Sequence, residues 1–304
     1  MSPALLHSLT EMNALVRGCL EAAEARSVVE IGSESGANTR ELLEFVGERE
    51  GELWCVELEP TLEVEQIDDR QDRFHLVRGR SPGALEGTDV SDAYIVDGDH
   101  NYWTVSRELE HIAQGTGQLP LVVLHDVGWP SGRRDQYYAP EALPAGAVHP
   151  HSWDLGSAPG REDAFEGGFR GRGGFAIALR EGGERNGVRT AVEDFVGSRD
   201  DLRFVVVPAI FGLGVLYSSA APYAQALDEL LAPFNDNPLL ERLERNRVDL
   251  YLELLEQHDR VSALGLQQGR LLAEYDRSLT AAEVEAAELR LEVAKLRDRL
   301  GASV

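Results

Sequence analysis

The 304-residue chain has a single lysine, Lys295, two cysteines, Cys19 and Cys55, and two methionines. Two cysteines cannot make a disulfide framework. Both sit in apolar, helix-like or strand-like surroundings, so buried free thiols in a cytoplasmic protein are expected rather than a bridge. No stretch approaches the roughly 20 apolar residues of a membrane span. Residues 1–20 lack the basic start and unbroken apolar run of a signal peptide. Positive charge is scarce: 29 Lys and Arg stand against 53 Asp and Glu, a net charge of -24. Such a chain is repelled by nucleic-acid backbones and anionic membranes, which argues against either as its main partner.

What is present is the composition of a folded chain, 43% hydrophobic and 27% charged, long enough for one large α/β domain with an appendage. Residues 1–26 read as an N-terminal helix, with Leu5, Leu9, Met12, Val16, Cys19 and Leu20 at helical spacing. Short apolar runs follow at Ser27–Ile31, Leu53–Glu57, Phe74–Val77, Ala93–Val96 and Leu121–Leu124, with helix-compatible stretches between them. Near-continuous apolar runs alternating with helices are what a parallel sheet covered on both faces requires. A Rossmann-like, doubly wound α/β domain is therefore expected over residues 27–220.

The rhythm fails from Val127 to Gly174, a stretch rich in Gly, Pro, Arg, His and aromatics. A segment this long without its own period is expected to be a lid or binding insertion. Apolar runs resume at Phe175–Leu179, followed by a helix from about Gly187 to Val196 and by Phe204–Val207 and Phe211–Tyr217. The last two are close enough to pair antiparallel around Pro208–Ala209, so the sheet should end in an antiparallel hairpin.

From residue 221 to 304 Leu, Glu, Arg and Ala dominate. Alternate steps of four and three from Leu254 trace a heptad seam: His258, Val261, Gly265, Gln268, Leu272, Tyr275, Leu279, Ala282, Ala286, Leu289, Val293, Leu296 and Leu300. The seam is clean from Leu272 onward. It predicts a helical coiled-coil tail that joins copies of the chain into a homo-oligomer, or else a long amphipathic helix folded back on the domain.

Two strings carry the chemistry. The first is Val28-Val29-Glu30-Ile31-Gly32-Ser33-Glu34-Ser35-Gly36, a buried strand running into a glycine-bearing turn before a helix. Gly32 and Gly36 would let backbone approach a ligand, and the helix N-terminus offers free N–H groups. Glu57, ending the second strand, lies where a carboxylate can accept from both hydroxyls of a ribose. A dinucleotide loop needs G-x-G-x-x-G, but the spacing here is E-x-G-x-x-x-G, which suits a cofactor with no pyrophosphate. A tight turn with no ligand is the plainer alternative. The loop resembles motif I of S-adenosylmethionine (SAM)-dependent methyltransferases, above all the small-molecule O-methyltransferases. That resemblance implies a SAM site formed by Glu30, Gly32, Ser33, Gly36, Glu57 and Asp97, with Arg80 and Ser81 in the region facing adenine.

The second string is Asp97-Gly98-Asp99-His100-Asn101-Tyr102, at the C-terminal end of a buried strand. The next strand ends in His125-Asp126, a second His/Asp pair on the same rim. Carboxylates with an imidazole suit Mg²⁺, Mn²⁺ or a related divalent ion, although Asp97 and Asp126 also fit as simple helix caps. Asp-Gly-Asp-His-x-Tyr with a later His-Asp resembles a methyltransferase family that includes macrolide-sugar O-methyltransferases and cephalosporin-hydroxylase-like proteins. The resemblance implies metal ligands at Asp97, His125 and Asp126. It departs at His125, where relatives often carry another carboxylate. His100 or Asp99 is expected to take the acceptor's proton.

In the insertion, Trp129, Tyr137 and Tyr138 are candidates to stack on a ring, and Arg133 and Arg134 to clamp an anionic group. The alternative is a surface loop whose arginines pair with local acids such as Asp135 and Glu141. The expected activity is methyl transfer from SAM to a hydroxyl of a sugar or glycosylated natural product. Metal-dependent hydroxylation on the same fold and a non-catalytic coiled-coil scaffold are the alternatives.

Overall fold

The computed structural model describes residues 8–68, 71–114 and 117–301; Leu5 of the N-terminal seam lies outside them. Among the described residues, strands β1 (Ser27–Ile31), β2 (Glu52–Glu57), β3 (Phe74–Arg78), β4 (Ala93–Val96) and β5 (Leu121–Leu124) pair in parallel. Residues 136–137, 151–152 and 176–178 form β6, β7 and β8, and β9 (Leu202–Val207) and β10 (Leu213–Ser218) follow. The main sheet has seven strands in the order β3-β2-β1-β4-β5-β10-β9, closed by the expected antiparallel hairpin. The Rossmann-like doubly wound architecture is thus borne out.

Alternate side chains of the central strands enter two cores. On one face Val28, Leu53, Ile95, Val123 and Val215 meet α1 (Asn13–Ala22), α2 (Ala37–Gly47) and α6 (Ala224–Leu231). On the other, Val29, Ile31, Val96, Val122 and Leu124 meet α4 (Tyr102–Gln114) and α5 (Val188–Gly197). Burial on both faces is why these strands read as unbroken apolar runs. Cys19 and Cys55 lie in the first core as buried free thiols.

Chain order places the site. From β1 the chain winds outward through α2, β2, α3 (Leu62–Asp68) and β3, then crosses back to β4 on β1's other side. Loops leaving β1 and β4 diverge, opening a crevice at their C-terminal ends.

The insertion has its own small sheet, in the order β6-β8-β7, so the run at Phe175–Leu179 contributes to it and not to the main sheet. The compact unit continues past residue 220 to Leu252. Leu227 and Leu231 of α6 are fully buried, and Val248 of α7 (Pro238–Gly301) packs with Ile210 and Phe211. The second unit, residues 253–304, is helical through Gly301. Among the described residues no helix is long and apolar enough to cross a membrane.

Candidate active site

Glycine is required in the β1 turn for a reason sharper than ligand approach. Gly32 has φ +85°, and a Cβ there would stand 2.3 Å from the Asp97 carbonyl oxygen. The end of β4 passes so close that only glycine fits. Gly36 (φ +72°) precedes α2, where a Cβ would meet Val64 Cγ2 at 2.8 Å. Glu30, expected at the cofactor, lies beneath the turn instead, 1% exposed. It accepts from Asn38 Nδ2 (2.8 Å) and Thr39 Oγ1 (2.6 Å), bracing the first turn of α2, and burial pushes its pKa up to about 7.

Glu57 does face the crevice. Its Oε2 accepts from Ser33 N (2.9 Å) and Ser33 Oγ (3.0 Å), and its Oε1 from Glu59 N (3.1 Å). These bonds orient the carboxylate while leaving lone pairs for further donors. Arg80 Nη1 lies 3.6 Å from Asp99 Oδ2. Ser81 donates to Glu108 of α4, a fully buried carboxyl whose pKa burial pushes up to about 8.

Across the crevice, the ends of β4 and β5 bring two carboxylates and two imidazoles together. His125 Nδ1 is 3.1 Å from both Asp97 Oδ1 and Asp126 Oδ2. His100 Nε2 is 3.2 Å from Asp126 Oδ2 and 3.7 Å from Asp97 Oδ1. Burial by itself would lower both histidine pKa values. The neighbouring carboxylates outweigh it, holding His100 at about 9 and His125 well above its usual range. Burial opposes ionisation of Asp97 and Asp126 as well, but the imidazolium charges win and both are lowered.

The residues whose ligand atoms lie within 4.8 Å of one another are Asp97, His100 and Asp126. His100 thus stands with the two carboxylates that the resemblance implied as ligands, and the implied His125 lies 3.1 Å from both of them as well. These donors fit a divalent cation: carboxylate oxygens with one imidazole, and buried Nε2 atoms on His100 and His125 that make no hydrogen bond among the described residues. Asp126 has φ 62°, a left-handed conformation strained for a non-glycine residue and commonly kept where function needs it.

The insertion's expected contacts divide. Tyr138 lines the crevice, its ring 5.8 Å from that of His100. Trp129 stands behind the wall, packed on Phe169 and Phe211 at 5.6 and 6.4 Å between ring centroids. The other three are corrected: none lines the crevice. Arg134 is fully buried, donating to the carbonyls of Ala178, Arg161 and Glu162. Tyr137 is 1% exposed and donates to Asp135 Oδ2. Arg133 pairs with Glu193 of α5 at 2.7 Å. A buried cation surrounded by carbonyls holds a loop together and is not free to clamp a ligand.

Sequence reasoning missed Gln136, Phe169, Phe175 and Phe211, which line the crevice. The one signal was two phenylalanines, Phe169 and Phe175, within a Gly/Arg-rich run. In sum, one crevice of about 490 Å³ holds the β1 turn, Glu57 and the Asp/His group, with aromatic rings facing them.

Residues 29–127 match the family model described as a methyltransferase domain. That segment is similar to a methyltransferase domain. The expected enzyme class is borne out, and the match spans β1 to the end of β5, which carries both strings read from the sequence. Among solved structures the chain is similar to a methyltransferase from Podospora anserina bound to S-adenosylhomocysteine (14% identity over 68% of this chain and 77% of that one, TM-score 0.43). It is similar to the O-methyltransferase TomG of tomaymycin synthesis from Streptomyces achromogenes, in complex with SAM (15%, 70% and 82%, TM-score 0.40). An O-methyltransferase from Bacillus cereus in complex with S-adenosylhomocysteine also resembles it (14%, 71% and 84%, TM-score 0.42). No curated protein matches the chain.

Proposed function

We propose that the chain is a SAM-dependent, divalent-metal-assisted O-methyltransferase acting on a hydroxyl of a small, ring-bearing molecule such as a sugar or a glycosylated natural product. One observation carries the reading: the methyltransferase segment's turn and Glu57 share a single crevice with Asp97, His100 and Asp126, opposite an aromatic wall. Gly32, Ser33 and Glu57 would receive the cofactor's amino-acid and ribose groups, as the ordered, partly unsatisfied Glu57 carboxylate allows. Asp97, His100 and Asp126 would hold Mg²⁺ or Mn²⁺, which when bound lowers the pKa of an acceptor hydroxyl.

With His100 taken up as a metal ligand, Asp99 is the better proton acceptor. It faces the crevice, and burial raises its pKa against the pull of Arg80. Tyr138, Phe169 and Phe175 supply ring faces on which the C–H face of a sugar or an aromatic ring can lie. A metal entering the Asp/His group must displace protons from its imidazoles, so its affinity should rise with pH. The two buried free thiols suit a reducing compartment, and we place the protein in the cytoplasm.

Calorimetry with SAM and with Mn²⁺ tests the two halves separately. Both should bind, and Asp97→Ala should lose Mn²⁺ and at least about a hundredfold in transfer while remaining folded. Unimpaired transfer in that variant would overturn the metal assignment, and no SAM binding by the wild type would overturn the enzyme reading. A second reading, metal-dependent hydroxylation, draws on the second histidine beside the carboxylates. Turnover requiring ferrous iron and oxygen, with no S-adenosylhomocysteine formed, would favour it.

A further inference from the structure

The second unit presents an apolar stripe to solvent. Leu272, Tyr275, Leu279, Leu289, Val293 and Leu296 are each 46–69% exposed. They recur at steps of three and four, with Ala282 and Ala286 filling the gaps, so they form the a and d positions of a coiled coil. Apolar residues elsewhere on the helix, such as Val284 and Leu291, fall on its opposite side and do not extend this seam.

The charges beside the stripe say what covers it. With Leu272 at a, the g positions include Glu285 and Glu292, and the e positions include Arg290 and Arg297. In a parallel, in-register pair each g residue meets the e residue five positions later on the other chain. Glu285 then meets Arg290 and Glu292 meets Arg297, on both sides of the seam. The two remaining g–e contacts, Leu271 with Asp276 and Ser278 with Glu283, bring no like charges together.

An antiparallel pair that sets Ala286 beside Leu289 is worse matched. It joins Glu283 to Arg290 and Asp276 to Arg297 but forces Glu285 against Glu292 of the second chain, a like-charge contact that the parallel pair avoids. The four charges are also uncommitted: all are exposed, and among the described residues none makes an ion pair within its own chain. Upstream the same helix uses such residues internally, as Arg245 with Asp249 and Arg260 with Glu256. Val293 at a, between Leu289 and Leu296 at d, favours two strands over three, and the small Ala282 and Ala286 let two helices come close.

We propose that residues 272–300 bind a second copy of this chain as a parallel, in-register, two-stranded coiled coil whose direction is set by Glu285–Arg290 and Glu292–Arg297 pairs. The proposal is independent of the methyl-transfer reading, because it is read by mass and cross-linking and not by turnover.

The full-length chain should sediment as a dimer. Leu272→Cys should form a disulfide-linked dimer under mild oxidation, since like positions face each other only when the strands run parallel. The wild type, with Cys19 and Cys55 buried, should not cross-link. Glu285→Arg with Glu292→Arg should raise the dimer dissociation constant at least about tenfold, and adding Arg290→Glu with Arg297→Glu should restore it. A monomeric or trimeric wild type overturns the proposal. A dimer without the cross-link at residue 272 overturns the parallel direction, and an unchanged dissociation constant after charge reversal overturns the pairing.

Discussion

The turn after β1 and the insertion after β5 line the same crevice but are built by opposite means. The turn is local: Glu30 reaches Asn38 and Thr39 eight and nine positions on, and Gly36 sets the left-handed step into α2. The insertion is held at long range. Asp135, fully buried, accepts from the backbone N–H of Tyr102, from that of Gly187, 52 residues away, and from the Tyr137 hydroxyl. One side chain thereby caps α4 and α5 together, and Arg134 ties three distant carbonyls. The proposed cofactor half, made of adjacent residues, and the proposed acceptor half, made of remote ones, can be perturbed separately.

The largest effect should come from Asp135→Ala, which strands two backbone donors and a buried hydroxyl. At about 1–3 kcal/mol for each orphaned group, partly relieved by water, unfolding by urea should show a loss of about 4 kcal/mol. SAM affinity should stay within about twofold; a large drop in it would erase the separation of the halves. Gly32→Ala is the converse. Its methyl group cannot clear the Asp97 carbonyl, and φ +85° is unfavourable for alanine, so about 3 kcal/mol should be lost together with SAM binding.

Glu108 sits between the halves, bonded to Ser81 on one side and carried by α4, which Asp135 caps, on the other. Its folded pKa, about 8, lies above the ordinary 4.5. The stability this contributes is full below about pH 4.5 and is lost as pH rises toward 8. Glu108→Gln should therefore be more stable than the wild type at pH 8 by on the order of 2 kcal/mol and show little gain at pH 4.5, in paired urea titrations. Arg133→Ala should do least. Its bonds to Glu193 and Thr190 lie on a half-exposed surface, so stability should change by under about 1 kcal/mol and turnover not at all.

The same contrast explains what could be read in advance. Parallel strands announce themselves as apolar runs, and both chemical strings sit at strand ends, where chain order dictates proximity. The sheet, its closing hairpin, the turn and the Asp/His rim were therefore legible. Glu30 was not, because its motif position does not reveal that Asn38 and Thr39 draw it beneath the turn. Arg134 was misplaced because nothing near it in sequence names the carbonyls it holds, Tyr137 because the burial of its neighbour Asp135 is set by distant backbone donors, and Phe211 reaches the crevice from the hairpin turn. That His100 stands beside His125 at the two carboxylates was not legible, because ring orientation is a tertiary property.

The two ends of the insertion meet. Val188 N donates to the Ser131 carbonyl and Arg189 N to that of Gly132, and a Cβ on Gly187 would strike the Gly132 oxygen at 2.5 Å. Residues 133–186 therefore leave and return through one narrow, backbone-stapled neck. A segment anchored in this way behaves as a cassette. Its length and interior can be rewritten at little entropic penalty to the sheet, provided Asp135, Asn186 and the neck are kept. Grafting another cassette onto this neck would test whether the insertion sets the proposed acceptor preference while SAM affinity stays unchanged.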